Sequence, residues 1–241
     1  MIPNEPDFLN FKKQLHMELV GKYGFPKVHG IKLRHPEDIK MIGFNYATNP
    51  KTKDKEKQWV HFFLSDYRFQ QIWNHPENYI ECFKQYKGIV APDFSMYTSM
   101  PLAMQIYNCY RQAFMCAYYQ EHGIKVLPAP GWSDEYSYEW CFDWVPHNSA
   151  VVVSTVGCMN SEYTKKLFLR GYEKMCETVE PFQVVIYGKV PKELSTITPE
   201  YYHHKDFMTM RKETDLWKQP KNWDTILETK NTTRKLEKHG K

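Results

Sequence analysis

The sequence predicts a parallel α/β domain, either an open sheet or an incomplete, TIM-barrel-like one, followed by a polar C-terminal tail. Three observations carry this. Short β-branched or aromatic runs alternate with longer segments of helical period, the rhythm of strands joined by crossover helices. Two runs, Val151-Val152-Val153 and Val184-Val185-Ile186, are apolar at every position, as strands covered on both faces must be. The 241 residues are 42% hydrophobic, enough to bury a sizeable core.

In chain order, residues 1–38 form an N-terminal segment with little periodicity, 39–190 the α/β core and 191–241 a basic extension. The expected strands are 40–45, 60–64, 88–91, 125–127, 150–154 and 183–187. Six fall short of the eight that close a barrel. Lys51 to Lys57 contains no apolar residue and predicts a solvated loop. Residues 66–86 predict two helices, because Pro76 inside one helix would cost about 3 kcal/mol but fits a new first turn. The clearest helix spans 100–121, with Ser99 as cap, Pro101 in the first turn and Gly123 ending it. Its stripe Leu102, Ile106, Cys109, Ala113 and Cys116 shares one face. A further helix over 162–178 offers Leu167, Gly171 and Met175, with Gly171 permitting close approach to the sheet. The aromatic cluster from Trp132 to Trp144 fits a ribbon or a short helix.

Composition removes several classes. No run approaches eighteen apolar residues and the amino end lacks a signal-peptide pattern, so the expectation is a cytoplasmic protein without membrane partners. Six separated cysteines without a C-x-x-C pair predict buried thiols instead of a zinc ribbon or disulfide scaffold. Net charge is only +4. Residues 191–241 hold eleven Lys or Arg against eight Asp or Glu, so the tail carries most of it. That basic tail offers phosphates a nonspecific contact, and Trp217, Trp223, Ile226 and Leu227 are its docking candidates. The glycine-rich phosphate loops, H-E-x-x-H and G-x-S-x-G are all absent.

Ligands of parallel sheets sit beyond the carboxyl ends of the strands, where helix amino termini and variable loops meet. The residues there include Asp66, Arg68, Asp93, Ser95, Tyr97, Trp132, Asp134, Ser154, Thr155 and Tyr187. Asp66 and Asp93 are the candidate acid–base pair, and with Asp134 they offer oxygen ligands to a divalent cation, Mg or Mn. Arg68 is the candidate anion contact, while Ser95, Tyr97, Trp132, Ser154, Thr155 and Tyr187 complete the binding set. Asp66, Ser95 and Asp134 also suit plain helix caps. His61 is expected to be a hydrogen-bonded structural histidine.

The runs from Val60 to Phe69, Pro92-Asp93-Phe94-Ser95, Gly123 to Pro128, Val153-Ser154-Thr155 and Val185-Ile186-Tyr187-Gly188 resemble, in order and spacing, a bacterial and phage family catalogued as domain of unknown function 4417. The resemblance covers roughly residues 35–190. It implies a bacterial or mobile-element setting and supplies no catalytic assignment. Two functions stay open: an enzyme acting on a phosphorylated or nucleotide-like small molecule, and a noncatalytic protein gripping a nucleotide, a nucleic acid or a host protein.

Overall fold

A computed structural model describes residues 6–197 and 201–204. The chain divides into two units, residues 1–204 and 205–241. The docking candidates of the tail and its last basic stretch lie outside the described residues.

An antiparallel hairpin, β1 (Leu19–Val20) and β2 (Phe25–Pro26), opens the fold. Then come β3 (Met41–Gly43), β4 (Trp59–His61), β5 (Gly88–Val90) and β6 (Val126–Leu127), parallel and paired in chain order. A second parallel sheet holds β7 (Ala150–Ser154), β8 (Gln183–Tyr187) and β9 (Tyr202–His204), again in chain order. Both valine-rich runs are strands, because each is sandwiched between the sheet interior and its outer helices. The Val152 N–H donates to the Pro128 carbonyl at 2.8 Å, joining β7 to the end of β6.

The seven parallel strands therefore follow one another around a curled sheet. The curl shows in the interior: His61 on β4 meets Tyr187 on β8, four places along, with ring centres 4.6 Å apart. Phe63 packs on both rings. Its N–H donates to His61 Nδ1 at 3.2 Å, leaving Nε2 of the neutral ring to donate to the Tyr187 hydroxyl at 3.1 Å. Among the described residues β3 and β9 pair on one side only, so the barrel is not closed.

Several expectations need correction. The first core strand stops at Gly43, and Phe44–Ala47 turns into a short helix that buries Phe44 and Ala47. β4 takes in Trp59 and ends at His61, since the chain turns over Phe63 into the interior. β9 lies in the stretch expected to be polar tail; three residues are too few to display a period. Residues 66–83 break into four short helical pieces, with Pro76 opening one of them as expected.

The long helix is Leu102–Glu121, ended by Gly123 at φ 77°. Its amino end has no side-chain cap; the Pro101 carbonyl accepts from Met104 and Gln105 instead of Ser99 acting. Leu102 is exposed, whereas Cys109, Ala113 and Cys116 are buried. Gly171, in the helix Glu162–Val179, is approached by the Trp132 indole instead of the sheet. The aromatic cluster forms a 3-10 turn at Glu135–Glu139, after which Trp140, Phe142 and Trp144 enter the core. No disulfide links the six cysteines, and no described helix is long and apolar enough to cross a membrane.

Candidate functional site

β4 and β5 are parallel neighbours, so the loops leaving their carboxyl ends lie side by side. The β4 loop supplies Asp66 and the β5 loop Asp93 and Ser95. Ser95 fastens the two loops together: its hydroxyl donates to Asp66 Oδ1 at 2.7 Å and its N–H to Oδ2 at 3.1 Å. The Ser95 carbonyl accepts from Asn108 Nδ2 at 2.6 Å, and Asn108 Oδ1 accepts from Arg111 at 2.6 Å. Arg111 also donates to Gln70 Oε1 at 2.9 Å and lies 3.9 Å over the Phe94 ring. A polar chain thus runs from the rim into the long helix.

Arg111 is only 8% exposed and makes no salt bridge among the described residues, while its Nε is buried without a partner. Burial pulls its pKa down; the negative charge of Asp66 works in the other direction. A buried cation held by neutral oxygens and an aromatic face is costly unless a nearby carboxylate offsets it. Tyr107 and then Asp66 offset only part of that cost, since burial still prevails.

Asp93 is the unusual group. Burial first, and the adjacent Asp66 charge second, push its carboxyl up to about 7. Gly131 in the β6 loop approaches it: a Cβ there would stand 3.8 Å from Asp93 Oδ1 and only 3.2 Å from the Met96 methyl. Cys158 in the β7 loop is close enough that the Asp93 charge, after burial, helps push its thiol up to about 11. Asp93 therefore sits where the loops of β4 through β7 converge, its carboxyl raised to about 7 by burial and by Asp66. Two carboxylates that repel are relieved by a proton or by a cation, so the pair suits a divalent ion bound through a few protein oxygens and the ligand's own. Asp134 does not complete a trio with them. Among the described residues, the one trio of candidate ligands within 4.8 Å of one another is the exposed His35, Glu37 and Asp38.

The other predicted positions divide. Arg68 is exposed and rests 5.5 Å over Tyr67; Tyr97 is exposed on the rim. Trp132 is spent on packing, with Nε1 donating to the Leu167 carbonyl at 3.3 Å. Ser154 accepts from the Val156 N–H at 3.2 Å. Thr155 is buried and gives its N–H to the Tyr187 carbonyl at 2.9 Å, while Tyr187 points inward to His61. Gln105, Asn108, Arg111 and Gln112, none of them among the predicted positions, are all buried. Their signal was present: polar residues at 105, 108 and 112 share one helix face. Gln105 accepts from Ser133 and Gln112 donates to the Ala129 carbonyl at 2.7 Å, so this face braces the β6 loop.

Two shallow clefts, about 230 and 320 Å³, lie at the opposite end of the strands, near Glu18, Lys27, Gln120 and Lys125. Neither gathers a comparable set of coupled acid groups.

The comparisons with known proteins agree with this core. A model of the family described as domain of unknown function, DUF4417, matches residues 17–206. The chain belongs to that family. It is 32% identical over 166 residues to the Gene 1 protein of Mycobacterium phage L5, covering 69% of each chain. It is 31% identical over 160 residues to the Gene 1 protein of Mycobacterium phage D29, covering 66% of this chain and 59% of that one. No solved structure matches. The DUF4417 match takes in β1 through β9 and every rim residue named above.

Proposed function

We propose that this DUF4417 protein is a cytoplasmic enzyme acting on a phosphorylated or nucleotide-like small molecule at the carboxyl rim of its sheet. The observation that carries the reading is Asp93, a carboxyl held near neutral pKa beside a second carboxylate at the convergence of four loops. Asp93 gives up its proton as the acid–base group; so deprotonated, it and Asp66, kept in place by Ser95, would hold a Mg2+ or Mn2+, and the ion would neutralise the ligand's phosphate. That none of the six cysteines is in a disulfide fits a reducing compartment.

The test follows thermal stability in Mg2+ or Mn2+ at pH 6 and pH 8. Metal competes with the Asp93 proton, so the rise in Tm is expected to be larger at pH 8 and lost in both Asp66→Asn and Asp93→Asn. No response at pH 8, or an equal response in both variants, refutes the reading. Salt-sensitive binding of nucleic acid by a metal-indifferent protein would instead favour a noncatalytic binding role.

A further inference from the structure

At the amino ends of β3, β4 and β5 the backbone lines up Lys40, Gln58 and Lys87. The Trp59 N–H donates to the Lys40 carbonyl at 2.8 Å and the Lys87 N–H to the Gln58 carbonyl at 2.9 Å. The three residues therefore stand side by side, with Lys40 and Lys87 about 10 Å apart across two strand spacings. The loop before β4 folds over the same edge. Gln58 Nε2 donates to the Lys53 carbonyl at 2.8 Å, and Lys55 Nζ donates to Gln85 Oε1 at 3.0 Å. Lys57 bonds Asp54 at 2.9 Å, and after that bond the charges of Lys57, Lys40 and Lys53 help hold the Asp54 carboxyl below its usual range.

Cations dominate this edge. Residues 40–58 and 80–87 carry seven lysines against three carboxylates, Asp54, Glu56 and Glu81. Glu37 and Asp38, just before Lys40, raise the carboxylates to five, and the balance stays positive. Lys57 and Lys84 occupy the three nearest carboxylates, whereas Lys40, Lys51, Lys53 and Lys87 are exposed and make no salt bridge among the described residues. No large apolar side chain is exposed within residues 48–58 or 84–87. Protein interfaces and membrane surfaces use apolar or aromatic anchors, and lysine is depleted from protein interfaces. A patch of lysines without an exposed ring reads neither base edges nor base faces; it fits a dense line of phosphates. A duplex offers one negative charge per ~1.7 Å of its axis, so a patch about 10 Å across meets several of them.

We propose that Lys40, Lys51, Lys53 and Lys87, with Lys55 and Lys57 beside them, bind the phosphate backbone of double-stranded nucleic acid without regard to its sequence. This surface lies at the opposite end of the strands from Asp93 and is independent of the ligand read there.

The test is fluorescence anisotropy of the full chain with labelled duplexes of two unrelated sequences, between about 50 and 200 mM salt. Lys40→Gln, Lys51→Gln, Lys53→Gln and Lys87→Gln are combined in one variant; all four side chains are exposed, so its denaturation midpoint should match wild type. It is expected to weaken Kd about fifty-fold or more at the low-salt end and to lower the slope of log Kd against log salt by about 3 to 4. Asp54→Asn removes the carboxylate amid the lysines and should tighten Kd about two-fold or more, a gain that damage to the fold cannot produce. Lys230→Gln, Lys235→Gln and Lys238→Gln together measure the share of the basic tail, expected to be smaller. A quadruple variant within about two-fold of wild type, an unchanged salt slope, a preference above about ten-fold between the duplexes, or loss that follows the tail changes instead would overturn the proposal. Displacement of the duplex, charge for charge, by polyglutamate or by phosphatidylserine vesicles would also overturn it, in favour of an acidic protein or a membrane surface. Asp66→Asn and Asp93→Asn should bind duplex as wild type does. Lost duplex binding beside an intact metal response therefore sinks this proposal alone, and the reverse sinks the catalytic reading alone.

Discussion

The two ends of the same parallel strands are built on opposite terms. At the amino end side chains tie the backbone together, although Trp59 Nε1 is buried with no hydrogen-bond partner among the described residues. Gln183 holds the Leu33 backbone with both amide atoms, at 2.7 and 2.9 Å. Ser149 accepts from the Ile31 N–H at 2.9 Å, and the Ile31 carbonyl accepts from Ala150 at 2.6 Å. Trp59 fills the interior against Gly88, which leaves no room for a side chain. At the carboxyl end a carboxyl is raised to about 7, a buried guanidinium lacks a salt bridge among the described residues and four tyrosines face water. One end is spent on holding the chain together; the other stores unfavourable terms that a ligand can relieve.

That contrast breaks first at Trp59. Trp59→Ala empties the amino-end interior and should cost about 3–5 kcal/mol of stability. Denaturant titration reads the loss, and the metal response of the remaining folded protein should be unchanged. A wild-type midpoint would mean that this end is not a packed plug.

Asp93 tests the other end, with the opposite sign. Its folded pKa lies above the unfolded value, so between about pH 4 and pH 7 the folded state binds the extra proton. Stability contributed by this group is therefore full at low pH and falls as pH rises through 7. Asp93→Asn should stabilise the metal-free protein at pH 8 by about 3 kcal/mol, allowing for partial solvent contact, with the gain vanishing near pH 4. A pH-independent difference between the two proteins in paired denaturation curves would show that the raised carboxyl is misassigned.

Gln183→Ala returns to the amino end with a smaller stake. It strands the Leu33 N–H and carbonyl, both partly buried, and should cost about 2 kcal/mol. Hydrogen exchange should quicken at Leu33 and its neighbours while the rim stays protected. Exchange that quickens equally at both ends would dissolve the distinction between them.

What the sequence made legible follows this same division. Strand runs such as Val151-Val152-Val153 announce themselves because burial on both faces leaves an uninterrupted apolar string. The order of Asp66, Asp93 and Ser95 beyond successive strands placed them on neighbouring loops. The brace behind them did not show. Gln105, Asn108 and Arg111 turn inward on a helix whose stripe was read from Leu102, although Leu102 faces water. Hydrophobic periodicity assumes polar residues point outward, and a helix that buries polar groups to support a loop inverts that rule. Tyr187 and Thr155 misled for a related reason. Interior bonds, His61 to Tyr187 above all, join strands far apart in sequence, and no local pattern reveals them.

The smallest effect is expected at Ser95, the clasp between the two aspartate loops. Ser95→Ala removes the 2.7 Å hydroxyl bond to Asp66 but keeps the 3.1 Å N–H bond and the Asn108 contact to the carbonyl. The loops should stay joined, at a cost of about 1 kcal/mol. The metal response should weaken out of proportion to that loss. Asp66 can then swing away from Asp93, and a cation shared by two carboxylates depends on their spacing more than on the stability of the loops. Calorimetric titration of Mg2+ beside a denaturation midpoint separates the two quantities. If both fall in step, Ser95 only stabilises; if metal affinity falls much further, the clasp sets the geometry of the site.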